Sequence, residues 1–322
     1  MQPIQPTRRA ILQACLAGAA ASLPAQTPSS IVAIARDPQL RSGLSSPDAA
    51  RLAALADRAV QALYHADSPL AAWRQIVRPG ETVGLKVNCL SGAGGCTSHI
   101  LVQTVCERLH QVGIPPRDIL IFDRLNADLD RAGYHLSSSR NGIRVMGNDD
   151  IGYENELAIF GSAGSLISQA VTRHCDCVIN LPVLRDHGIV GVTMALKNMF
   201  GAIHNPNKYH SNAGDPYIAD VFMLPPFRQK VRLHLCDAVT AQYEGGPSFR
   251  PQWTWPFNGI LTSRDPVALD YTGWQIIEAE RARNHMPPLK DVNREPVYIA
   301  TAADSRHRIG TCDPARIVRR EV

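Results

Sequence analysis

The chain has 322 residues, 45% apolar and 19% charged, with a formal net charge of +4. That composition excludes a disordered chain. The near balance of 33 basic and 29 acidic side chains, with no basic stripe or aromatic ladder, argues against a nucleic-acid partner.

Thr7, Arg8 and Arg9 precede an uncharged run over residues 10–25 that is rich in Ala and Leu. Paired arginines, an apolar stretch and small residues follow the order of a twin-arginine export signal. Residues 1–25 are therefore expected to be handled by the twin-arginine translocase and cleaved after Ala21 or Ala25. The run is too short and too alanine-rich for a membrane span, which takes about 20 strongly apolar residues. Cys15 follows Arg9 too closely to be a lipoprotein site. The mature chain is expected in the periplasm or outside the cell, without a transmembrane anchor. Of eight cysteines, seven remain if Cys15 is removed, and an odd number leaves at least one unpaired thiol or a metal ligand.

Residues 26–322 read as a single α/β domain. A strand is expected at 31–35. A helix follows, with Ser46 as N-cap, Pro47 at its first position and Leu52, Leu55, Ala59 and Leu63 on one face. Residues 82–88 form a strand that runs into a glycine-rich turn at 90–95. Thr97 or Ser98 caps the next helix, and a third strand covers 119–122. Strand, helix, strand in this order predicts an α/β fold with a largely parallel, mixed central sheet and helices on both faces, with room for a smaller second lobe. Residues 125–165 are polar, with short strands at best. Further on, 177–181 reads as a buried strand, 190–203 as a helix, 231–238 as a strand and 243–257 as a long ordered loop. Pro266 opens a helix to Arg283, and the tail after Asn284 wraps the surface.

The block from Val178 to His210 holds the densest chemistry. A buried strand empties into Asn180, Arg185, Asp186 and His187, and Thr193, Lys197 and Asn198 follow within an apolar stretch. Ligands collect at the carboxyl ends of parallel strands, and a lysine among Met194, Leu196, Met199 and Phe200 is costly to bury unpaired. His187 is the candidate acid/base and Lys197 the candidate anion or cofactor holder. The plainer alternative lets Lys197 reach water and His187 cap a helix. Lys86 and Asn88 end a strand before the turn, and Gly94 and Gly95 can present N–H groups to an anion, unless this is an ordinary tight turn. Thr97 stands where a dinucleotide fingerprint needs glycine. Cys89 and Cys96 bracket the turn and can form a disulfide. Cys175 and Cys177 share a strand face as two buried small hydrophobes, or as ligands of a metal. Asp237 ends its strand and, with His210, is a candidate metal ligand. Asp265 caps the last helix. Trp253 and Trp255 line the site or anchor their loop.

This block resembles the bacterial domain of unknown function 362 family. Gly84-Leu85-Lys86-Val87-Asn88 upstream, and Asp237 with Gly245-Gly246-Pro247 downstream, carry the resemblance with it, as does Asp265-Pro266-Val267-Ala268-Leu269-Asp270. The match runs over about residues 80–275. Two features depart from the family pattern: Arg185-Asp186-His187 stands where Lys-Thr-His is usual, and the ferredoxin-like cluster of many members is missing. His187 ten residues before Lys197, with His204 and His210 beyond, is also similar to nickel-pincer lactate racemases, whose lysine carries the cofactor covalently. The N-terminal signal, the polar cluster and these likenesses together lead us to expect an exported enzyme for a small anionic ligand, using redox or racemase-type proton or hydride transfer with a cofactor or metal of unknown identity. The alternative is a non-catalytic binding or accessory protein.

Overall fold

The computed structural model describes residues 29–41 and 45–322; the expected export signal lies outside them. Eleven described strands form the main sheet. They include β1 (Ser30–Arg36), β2 (Val83–Lys86), β3 (Ile119–Asp123) and β4 (Arg144–Gly147). After a separate hairpin of β5 (Ala158–Phe160) and β6 (Ala163–Ser165) come β7 (Cys177–Asn180), β8 (Val183–His187) and β9 (Gly191–Thr193). The rest are β10 (Val231–Gln242), β11 (Thr254–Trp255), β12 (Gly259–Ser263) and β13 (Ile317–Glu321). The spatial order is β13-β1-β12-β10-β7-β2-β3-β4. From β10 to β4 all neighbours are parallel, whereas β12 runs antiparallel to both β1 and β10. The sheet is mixed and mostly parallel, as expected.

Strand alternation divides the core. Val83, Leu85, Ile119, Ile121, Cys177 and Ile179 face α1 (Ala49–Tyr64) and α2 (His99–Gln111). Leu120, Phe122, Val178 and Cys236 join the other core, with a one-turn helix (Ala195–Asn198), the long helix Pro266–Arg283 and the short helix Tyr298–Ala303. Burial on both faces explains why these strands read as continuous Val/Ile/Leu runs. No described helix is long and apolar enough to cross a membrane.

Local signals hold in most elements. Asp48, not Ser46, caps α1 by accepting the Arg51 N–H at 2.8 Å, and a left-handed His65 ends it. Asp265 caps the long late helix by accepting from Val267 and Ala268.

The helix expected over 190–203 is corrected. Residues 191–193 turn back on β8 as β9, with Thr193 opposite Arg185, and only Ala195–Asn198 is α-helical before a 3-10 turn at Met199–Ala202. Gly191, at φ +86°, permits the reversal. The tail does more than wrap the surface, since β13 adds a parallel edge strand beside β1.

All seven described cysteines are free. Cys89 is turned into the core beneath α2, while the Cys96 thiol faces the Ala132 carbonyl at 3.8 Å, so the expected disulfide is absent. Cys175 and Cys177 belong to opposite cores and share no metal; they are the buried small hydrophobes of the plainer reading.

Candidate functional site

Parallel pairing sets Lys86, Asn180 and His234 in one register row across β2, β7 and β10, on the face towards the Ala195–Asn198 turn. Three polar groups in a core face need partners: Asn180 Nδ2 and His234 Nδ1 pair at 3.0 Å, and Asn198 links Asn180 to Lys86. Asn198 donates to Asn180 Oδ1 at 2.7 Å and accepts from Asn88 Nδ2 at 3.0 Å and Lys86 Nζ at 3.3 Å. Asn180 donates to the Ala195 carbonyl at 2.8 Å. At the N-terminus of that turn, the Asp270 carboxylate from the long late helix (Pro266–Arg283) accepts the N–H groups of Ala195 at 2.7 Å and Leu196 at 3.2 Å. Burial pushes Asp270 up to about 8 against those two bonds.

The Lys86 ammonium donates to Val87 O at 2.6 Å, Asp123 Oδ1 at 2.8 Å and Asn198 Oδ1 at 3.3 Å, which accounts for all three of its protons. Asp123 also accepts the backbone N–H of Cys89 at 2.7 Å and of Arg124 at 2.8 Å. Lys86 is thus corrected from an anion anchor to half of a closed ion pair. Its neighbour at the end of β3, Asp123, cancels its charge.

A cavity of about 430 Å³ opens at this strand edge, and Lys86, Asn88, His187, Thr193, Lys197, Asn198 and His210 all line it. Lys197 makes no hydrogen bond or ion pair; its Nζ rests 4.3 Å from the centre of the Phe200 ring. Burial, then Arg124 and Lys86, push it down to about 7. Lys197 is half-buried, whereas Arg185 is buried. It donates to the Ser91 hydroxyl and the carbonyls of Gly95 and Pro247, and to no carboxylate. The adjacent Asp186 is engaged elsewhere, with the Gly246 N–H at 2.9 Å and Arg294 at 3.3 Å. Arg124, also at the cavity, is balanced by Asp128 at 2.8 Å. Among the described residues, Arg185 and Lys197 are the cations at the cavity that form no ion pair, although Asp186 and Asp237 act on Arg185 at longer range and Lys197 lies against the Phe200 ring.

The two histidines stack with ring centres 5.6 Å apart and planes 27° off parallel. His187 Nδ1 accepts the N–H groups of Ile189 at 3.1 Å and Val190 at 3.3 Å, so its proton sits on Nε2. His210 Nδ1 lies 3.2 Å from the Asn207 carbonyl and must donate to it, which leaves Nε2 with a lone pair. Burial, then Lys197, His210 and Arg185, push His187 down to about 3; burial and Lys197 also lower His210. At neutral pH the pair is uncharged, one ring a donor and the other an acceptor. Beside them the Thr193 hydroxyl is buried with no partner.

Three expected residues lie elsewhere. A Cβ on Gly94 would collide with the Phe249 ring, and the Gly95 carbonyl is bound by Arg185, so the glycine turn packs beneath Phe249 and steadies that arginine instead of cradling a ligand. Asp237 accepts the Ser98 N–H at 2.7 Å and the Val239 N–H at 3.0 Å, capping α2, and burial raises its carboxyl. It is therefore not brought to His210. Among the described residues no three His, Cys, Asp or Glu side chains converge to hold a metal ion. A metal-containing cofactor would have to bring most of its own ligands, with His210 Nε2 the open nitrogen at this cavity. Trp253 and Trp255 pack on Tyr243, with ring centres 5.9 and 6.0 Å away, and anchor their loop. Sequence reasoning missed Asp123 and Asp270. Asp123 carried one signal, its position at a strand end; Asp270 stood out only within the family motif.

A family model described as Domain of unknown function (DUF362) matches residues 83–275. No curated protein matches the chain. Among solved structures, the crystal structure of a protein from Thermotoga maritima is similar with a TM-score of 0.40 and 7% identity, over 65% of this chain and 54% of that one. The chain thus spans about half the length of that protein.

Proposed function

We propose that this chain, which belongs to the DUF362 family, binds a small organic carboxylate in its cavity and moves a proton on it. The observation that carries this reading is the pair of cations, Arg185 and Lys197, at one cavity, neither of which makes an ion pair among the described residues. Buried positive charge without a partner is costly, and an anionic ligand relieves that cost. The orphan Thr193 hydroxyl is a further contact for a carboxylate oxygen. A cavity of about 430 Å³ suits a small molecule.

The histidine pair supplies the chemistry. His187 Nε2–H donates to an oxygen on which charge develops, and His210 Nε2 takes up the proton. This division of labour replaces a single acid/base role for His187, whose second nitrogen is occupied by backbone donors. A redox version of the reaction would need a cofactor to carry the hydride. Thr7, Arg8, Arg9 and the run after them support delivery of the folded protein outside the cytoplasm by the twin-arginine translocase.

Calorimetric titration with acetate, lactate and the neutral lactamide tests the reading. Carboxylates are expected to bind and the amide not to, and Lys197→Met should weaken binding about tenfold. NMR in D₂O should then show deuterium entering the bound acid at its α-carbon, and His210→Gln should stop it. Equal binding of amide and acid overturns the anion site; binding without exchange leaves a holding protein. Retention of an Arg8→Lys/Arg9→Lys chain in the cytoplasm tests the export route.

A further inference from the structure

We infer that Lys197 is a nucleophile whose amine condenses with the carbonyl carbon of a small 2-oxo carboxylate to form an imine. The inference rests on the anion site proposed above and names the substrate class for it.

The geometry separates Lys197 from the other lysines. Lys86 donates to three acceptors, Lys230 to the carbonyls of Val171, Thr172 and Cys175, and Lys208 to that of Gly164. Lys290 is solvent-exposed. Lys197 lines the cavity with no acceptor for any of its protons and an aromatic face against its Nζ. The Phe200 face favours the ammonium, against which stand the neighbouring Arg124 and Lys86 and the lack of a protein acceptor; that balance leaves the free amine accessible. The fall of Lys197 to about 7 agrees, leaving a large amine fraction at neutral pH. Arg185, which stays charged, is then the permanent cation for the carboxylate.

The remaining groups balance the step. The amine lone pair forms the C–N bond while the carbonyl π pair moves to oxygen, where His187 Nε2–H donates a hydrogen bond. His210 Nε2 relays the two protons lost by nitrogen in turn to that oxygen, the first giving the carbinolamine hydroxyl and the second letting it depart, so the C–O bond breaks, the C=N bond forms and water leaves. One amine and one carbonyl give one imine and one water, with no oxidant or reductant. The imine then acidifies the next carbon out, C3 of the 2-oxo acid, so for this substrate class proton exchange is expected there and not at the α-carbon, which carries no proton.

The test uses the full chain with pyruvate and cyanoborohydride, read by intact mass and peptide mapping, with acetate calorimetry on the same preparation. The expected result is a single reduced pyruvate adduct on the peptide carrying Lys197, forming faster as pH rises from 6 to 8. It should be absent in Lys197→Arg and in Lys197→Met, each checked for a native melting transition. Adducts confined to Lys208 and Lys290, or a pattern unchanged in Lys197→Arg, overturn the inference. Acetate binding with no adduct overturns the imine alone; neither binding nor adduct overturns both readings.

Discussion

Lys86 Nζ lies 2.8 Å from Asp123 Oδ1, and the two side chains keep only 1% and 6% of their surface in water. Gly201 closes the pair, since a Cβ there would stand 2.7 Å from Lys86 Nζ and 2.8 Å from Asp123 Oδ1. Removing one partner strands a buried charge. Lys86→Met is expected to cost about 3–5 kcal/mol in urea denaturation. The double variant Lys86→Met/Asp123→Asn should recover much of that loss. Gly201→Ala, which wedges a methyl against the pair, should cost about 1–3 kcal/mol. A Lys86→Met chain as stable as the parent would show that Asp123 finds another cation.

Thr193→Val separates binding from folding. The hydroxyl has no partner to lose, so stability should hold or rise by about 1 kcal/mol in the same denaturation assay. Carboxylate affinity, measured by calorimetry, should instead fall about tenfold. Loss of stability with unchanged affinity would assign the hydroxyl to the fold.

Asp270 makes stability depend on pH. Its folded value is raised from 3.8 to about 8, so between those limits the folded chain holds more protons than the unfolded one. Its contribution is therefore complete below about pH 4 and is lost as pH rises through about 8. Asp270→Asn keeps an acceptor for the Ala195 N–H and removes the titration. Melting curves from pH 5 to 8 should show the difference between parent and variant moving steadily in favour of the variant. A constant difference would mean that Asp270 ionises alike in both states.

The thiols should be silent. With all seven described cysteines unpaired, a reductant is expected to leave the melting temperature unchanged. Among the described cysteines only Cys96 and Cys312 are partly exposed, and burial raises Cys96 to about 11, so alkylation of those seven in the native chain at pH 7 should be slow. A drop in melting temperature on reduction would reveal a disulfide.

Residues 31–35, 119–122 and 177–181 and the helix from Pro266 to Arg283 were legible because each carries a local signature: an apolar run or a capped helix start. Residues 190–203 were not, because their apolar pattern suits a helix while the reversal at Gly191 and the pairing of Thr193 with Arg185 depend on a strand already in place. The cavity's membership was largely legible, since polar residues at strand ends must converge in a parallel sheet. Their roles were not. Asp237 and Lys86 look like free chemistry in one dimension and turn out to be occupied, one by the Ser98 N–H and the other by Asp123.

Taken alone, the order of apolar runs, caps and turns determined an α/β chain with its reactive side chains gathered at one sheet edge, because periodicity and strand direction are local properties. Which of those side chains keep a free charge, a free proton or a free lone pair was decided only by folding. Availability depends on neighbours that only the fold brings into place: Asp123 for Lys86, the Ile189 and Val190 amides that the turn after β8 aims at His187, and the Phe200 ring, with no protein acceptor, for Lys197.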